Sequence, residues 1–290
     1  MLTKPTLTKL QTGILLLGFC LPFVTLKAQQ DPSRAKEYLE SALSYSAAKD
    51  PRAEEEYKRA IAARGGVYPE AWDAFSTYLA YQLRFEEAAA AFRKYLKQTK
   101  TKVSSTDKER LTHLDRGALL RSRYDDRQSM SVDEMLELTK LMERFGSTKH
   151  AVPYAERAAE LYPQSGEALI VLAKLIQNEQ TDKALDLFNR GISFEPNNSS
   201  FYVARGSYFF WVQGNPRTAE ADFRKAIGLS RGTNASAWAG LGDSLARIGR
   251  TDEAIAAYRH YLSIRPKSAA HYDGEIRKSI ELLENSSSKP

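Results

Sequence analysis

Along this 290-residue chain a small residue, a ring four places on and a third residue three places further recur with a period of about 35. The series reads Ala184-Phe188-Gly191, then Ala219-Phe223-Ala226, then Ala254-Tyr258-Tyr261. A period in the mid-thirties is too long for one helix and too short for a domain. It fits a pair of helices that cannot bury its apolar face alone and must stack on its neighbours. The chain is therefore constrained to an all-α solenoid, and the functions to weigh are those of a surface rather than of a closed pocket.

The clearest unit shows how each residue serves that stack. Trp238, Leu241, Gly242 and Leu245 fall at i, i+3, i+4 and i+7, one face of a helix. Gly249-Arg250-Thr251 breaks the pattern and Asp252 offers a start for a second helix. Ala254, Tyr258, Tyr261 and Leu262 form its apolar stripe, and Pro266, which has no backbone N–H, is expected to stop it. Gly242 opposite Ala254 would let the two helices approach closely. This order of sizes resembles the tetratricopeptide repeat, with Tyr261 departing from the usual small residue. The resemblance implies a right-handed α-solenoid of helix-turn-helix repeats.

Other units follow with varying fidelity: 34–67 (Leu39, Ser41, Ala53, Tyr57, Ala60), 69–102 (Trp72, Phe75, Ser76, Leu79, Ala88, Phe92, Tyr95), 131–164 (Gly146, Ala151, Tyr154, Ala158, Pro163), 165–198, 199–234 and 235–267. The unit 199–234 has one residue more between Gly206 and Gly214 than lies between Gly242 and Gly249, which predicts a bulge or a lengthened turn. Residues 103–130 do not fit the period. They predict an irregular helical insert, capped at Ser105 or Thr106, with an apolar face of Leu111, Leu114, Ala118 and Leu119, at which the array changes direction and two repeats are divided from four. Residues 268–285 predict a C-terminal capping helix with Tyr272, Ile276, Ile280 and Leu283 inward, and 286–290 a frayed tail.

Residues 1–28 differ from the rest. Lys4 and Lys9 precede an apolar run from Ile14 to Val24, and Ala28 is a small residue at the end, which is the layout of a cleaved secretory signal. The expected location is periplasmic or secreted. Cys20, the single cysteine, lies inside the run. Lipidation there would tie the protein to a membrane, but Phe19 occupies the position where lipoprotein processing wants a small residue, so Cys20 reads as part of the apolar core. Cleavage after Ala28 would leave no thiol, removing disulfides, thiolate metal sites and cysteine nucleophiles. It would also remove three of the 42 basic residues, leaving 39 against 36 acidic ones. That balance gives no reason to expect a nucleic-acid partner. The basic run Arg93, Lys94, Lys97, Lys100 and Lys102 fits a helix C-terminus, where the macrodipole favours cations.

No phosphate loop, His-Glu-x-x-His or nucleophile elbow is present, and His113, His150, His260 and His271 are scattered as lone surface residues. No cofactor and no catalytic residue is expected. Four Asn-x-Ser sequences, starting at Asn197, Asn198, Asn234 and Asn285, are what short polar connectors between helices produce. The resemblance implies that first helices line a concave groove that holds a protein or peptide partner. By position, the groove residues are Tyr38, Ala42 and Tyr45; Asp73, Thr77 and Tyr81; Val203, Ser207, Phe210 and Trp211; and Ala239, Asp243 and Arg247. At the positions where some members clasp a terminal carboxylate stand Asp73, Thr77, Ala239 and Asp243, none of them lysine or asparagine, which speaks against that mode. Tyr208-Phe209-Phe210-Trp211 puts four rings in a row, and one helix face cannot bury them all. The expectation is an exported, non-catalytic scaffold for a polypeptide. The alternatives are an envelope assembly factor anchored through Cys20 and an enzyme with a site in 103–130.

Overall fold

The structure, a computed structural model, describes residues 31–126, 129–146, 148–265 and 273–287. Residues 1–28, expected from sequence to be a signal segment and holding Cys20, lie outside the described residues, as do Arg127, Pro266, His271, Tyr272 and residues 288–290. Fourteen α-helices and no strand occur among the described residues. The chain divides into two compact units at Tyr68 and Pro69.

The first unit is one hairpin, α1 (Pro32–Ala47) and α2 (Arg52–Ala63). Asp31 caps α1 by accepting the backbone N–H groups of Ser33 and Arg34 at 3.2 Å, and Pro32 starts the helix where a missing N–H costs nothing. Ala35 and Ala42 of α1 are buried, as are Ala53, Tyr57, Ala60 and Ile61 of α2. The turn between them puts Lys49 at φ 57°, a left-handed conformation.

The second unit comprises α3 (Pro69–Tyr81) and α4 (Phe85–Gln98), the single helix α5 (Ser105–Asp125), and the hairpins α6 (Val132–Phe145) with α7 (Thr148–Leu161), α8 (Gly166–Ile176) with α9 (Thr181–Phe194), α10 (Ser199–Trp211) with α11 (Pro216–Leu229) and α12 (Ala235–Arg247) with α13 (Thr251–Ile264). Helix α14 (Asp273–Ser287) follows. The recurring small residues Ala88, Ala151, Ala184, Ala219 and Ala254 are all fully buried, and the rings that follow are buried too: Phe92, Phe188, Phe223 and Tyr258 four places on, and Tyr154 three places after Ala151. Burying one such ring stabilises by roughly 1.5–3 kcal/mol, provided that the facing helix can come close enough. Glycine supplies that approach: a Cβ on Gly191 would lie 2.9 Å from Ile170, and one on Gly242 would lie 2.5 Å from the Tyr258 ring. Gly242 thus makes room for the Tyr258 ring.

The extra residue in the α10–α11 hairpin is absorbed by the turn. Four residues separate α10 from α11 where three separate α12 from α13. Gly214 takes φ 60°, Asn215 caps α11 by accepting the Thr218 N–H at 3.1 Å, and Pro216 begins the helix. Helix α10 keeps its register, so the four rings are dealt around its face without a bulge.

The 103–130 region folds as one 21-residue helix, α5, packed on both sides. Its cap is Ser104, one residue before the expected pair, in a capping box with Asp107. Its buried residues are Leu114, Gly117 and Leu120, whereas Leu119 is exposed. The apolar stripe is rotated because α5 serves two neighbours. Gly117 faces the Phe85 ring of α4, where a Cβ would lie 3.0 Å away. On the other side Arg116 makes a two-pronged contact with Glu137 of α6. The break between compact units therefore falls before α3 and not at this helix. Helix α14 reaches Ser287, so Ser286 and Ser287, expected in a frayed tail, are helical.

Candidate partner-binding cleft

The aromatic run on α10 separates by turn of helix. Tyr208 is fully buried, packs its ring 5.4 Å from that of Phe188, and donates its hydroxyl to the Thr181 carbonyl at 3.0 Å. Phe209 is half-buried against it. Phe210 and Trp211 fall on the other side, edge to face at 4.6 Å, and Trp211 is 72% exposed. Burial of the first two is what turns the last two outward.

Phe210 and Trp211 form one wall of a cleft of about 480 Å³. Helix α10 contributes Val203 and Ser207 as well; α12 contributes Ser236, Ala239, Gly240 and Asp243; α14 closes the far side with Glu275, Ile276 and Ser279. Phe223 and Tyr261, from the second helices, form the floor. The Phe223 ring reaches the floor because Gly206 and Gly240 both lack a Cβ; on Gly240 it would sit 2.4 Å from the ring. Of the residues assigned to a groove from sequence, the structure thus brings together Val203, Ser207, Phe210, Trp211, Ala239 and Asp243. Arg247 lies at the edge, its guanidinium carbon 5.9 Å from the Phe210 ring centre.

Asp243 is the half-buried charged group of this largely apolar space. It accepts the Tyr258 hydroxyl at 2.7 Å. Burial pushes its carboxyl above the ordinary value, and the Tyr258 hydrogen bond only partly opposes the rise. Tyr258 in turn is pushed well up, first by burial and then by the neighbouring carboxylate.

The remaining groove candidates are engaged elsewhere. Asp73 and Thr77 of α3 are met by Arg110 of α5, which donates to the Asp73 carboxylate at 2.6 Å, to the Thr77 hydroxyl at 2.8 Å and to the Ser76 hydroxyl at 3.3 Å. The same guanidinium lies 4.2 Å over the Phe92 ring. Tyr81 is half-buried with its ring edge-on to His150. In the first unit Ala42 is fully buried and not groove-facing. Tyr38 and Tyr45 share its side of α1 and are half-buried, with Arg52 over the Tyr45 ring at 4.3 Å.

Among the described residues no group of three His, Cys, Asp or Glu is placed to hold a metal, and no helix is long and apolar enough to cross a membrane. Of the described histidines, His150 is exposed as expected, whereas His113 and His260 are half-buried. His260 packs on Trp238 at 4.2 Å, and the Nδ1 of half-buried His113 is buried without a hydrogen-bond partner.

No curated protein matches the chain. Among solved structures it is similar to that of MamA (21% identity over 58% of this chain and 99% of that one, TM-score 0.46). It is also similar to a thermophilic tetratricopeptide-repeat protein of Thermus thermophilus (16%, 75% and 100%, TM-score 0.46). A third is a tetratricopeptide-repeat protein of Parabacteroides merdae (17%, 87% and 100%, TM-score 0.48). The model of the tetratricopeptide repeat family matches residues 210–269. That stretch runs from the exposed end of α10 through α13 and holds the Trp238, Gly242, Ala254 and Tyr258 packing described above. Residues 210–269 thus match the tetratricopeptide repeat family, and helical hairpins of the same construction recur before them.

Proposed function

We propose that the protein is an exported, non-catalytic scaffold that holds a polypeptide partner in the cleft between α10, α12 and α14. The observation that carries this reading is the pair Phe210 and Trp211. A tryptophan 72% exposed at the mouth of a concave apolar space is costly to leave in water and is a common anchor of protein interfaces. The α3 face supports the same choice, since Arg110 already occupies its groove positions. Export is supported by the basic, apolar and small-residue order of 1–28.

The test is affinity capture of partners from the native envelope by the wild-type chain and by Trp211→Ala. The expected result is a polypeptide held by the first and released by the second, with a loss of at least about 2 kcal/mol, the scale of an interface anchor. Equal capture by both would overturn the assignment of the cleft. Mass measurement of the mature amino terminus tests the export reading: Gln29 in first position is expected, and a lipidated Cys20 would replace the soluble form with an anchored one.

A further inference from the structure

We propose that the cleft selects a cationic side chain, lysine or arginine, within an extended segment of the partner, and that Asp243 sets this selectivity. The inference rests on the reading of the cleft as the partner site and adds the chemistry of what enters it. Asp243 Oδ1 accepts the Tyr258 hydroxyl at 2.7 Å, and no other side chain among the described residues donates to the carboxylate. An ionised carboxylate offers about four lone-pair sites, so most of its capacity faces the cleft unused. Rings and aliphatic groups dominate the cleft lining, with Ser207, Ser236, Ser279 and Glu275 among them, and a half-buried carboxylate so placed is disfavoured until a cation joins it.

Among the described residues none supplies that cation. Arg247, one helical turn along, lies over Phe210 and forms no ion pair among the described residues. The other charged lining residue is Glu275, exposed at the rim on α14, which adds to the negative field. A long basic side chain suits both halves of this site. Its methylene stem packs on Phe210 and Trp211, and its head reaches the Asp243 carboxylate. A glutamate or a terminal carboxylate entering the same space would face Asp243 at close range in low dielectric, which is repulsive.

The test is calorimetric titration of the chain with three acetylated, amidated nonapeptides. They are identical except for a central lysine, norleucine or glutamate. The lysine peptide is expected to bind about tenfold or more tightly than norleucine, with glutamate weakest. In Asp243→Asn that advantage is expected to fall to about twofold or less. Should Asp243→Asn not fold, Glu275→Gln, an exposed rim change, is expected to reduce the lysine advantage by about two- to threefold without altering the far-ultraviolet dichroism. Equal binding of lysine and norleucine by the wild type would overturn the selectivity while leaving the cleft as the partner site. Failure of all three peptides to bind would overturn the inference together with the reading beneath it.

Discussion

Replacing Gly240 by alanine isolates the packing on which the cleft depends. A Cβ at that position would lie 2.4 Å from both Cε1 and Cζ of Phe223 and 2.8 Å from Cε2. Carbon atoms rest at about 3.5–4.0 Å, so the ring must move by about 1 Å. It has little room, because Phe223 is 2% exposed and lies so near Gly206 of α10 that a Cβ there would also fall 3.0 Å from the ring. Overpacking of a core costs about 1–3 kcal/mol, against which alanine returns up to about 1 kcal/mol of helix propensity. The expected net is a loss of about 1–2 kcal/mol, together with a displaced cleft floor. Gly228 near the end of α11 is the control, since nothing lies within 4 Å of its Cβ position, and Gly228→Ala is expected to gain about 0.5–1 kcal/mol. Urea denaturation followed by far-ultraviolet dichroism reads both variants against the wild type. A Gly240→Ala midpoint equal to or above that of Gly228→Ala would refute the reasoning.

Three further perturbations have expected outcomes. Arg205 and Asp222 form a two-pronged pair at 2.9 and 2.8 Å with side chains 20% and 9% exposed; Asp222→Ala is expected to cost about 3 kcal/mol in denaturation because it strands a buried charge, and Arg205→Leu in the same chain should restore much of it. Arg110→Ala removes three donors from the α3 face, so a loss of about 1–3 kcal/mol is expected, with faster hydrogen exchange in α3 and the first half of α5. Asp243→Asn is expected to raise stability at neutral pH. Burial lifts the folded carboxyl above its ordinary 3.8, so the wild type loses stability as pH rises through the folded value, and the two midpoints should converge as pH falls below about 3.8.

The hairpins were legible in sequence because each rests on a local size pattern. Ala254 and Tyr258 declare a packed second helix by themselves, and Trp238 with Leu241 declares its partner. The same logic foresaw that the rings of 208–211 could not share one face, and Trp211 is the ring left outside. What escaped the sequence are contacts between elements that the period does not relate. Arg110 sits in the stretch that breaks the repeat, so nothing local announced that it would lie on Asp73 and Thr77. Gly240 is off the repeat pattern of its own helix, and its role is visible only once Phe223 arrives from α11. In α1 the stripe centres on Ala35 and Ala42 and not on Leu39 and Ser41, because the helix has too few large aliphatic residues to fix its rotation from sequence. Asn198 and Asn234, which read as chance Asn-x-Ser connectors, are the N-caps of α10 and α12.

The most direct test of the central claim places a photo-crosslinking amino acid at Ser236, an exposed residue lining the cleft, and separately at Leu119, exposed on α5. Irradiation in the native envelope, followed by mass mapping of the attached peptides, reports what occupies each face. The expected result is one polypeptide segment carrying a lysine or arginine, joined at Ser236 and absent at Leu119. Equal labelling at the two positions, or attachment of no polypeptide at Ser236, would contradict the account.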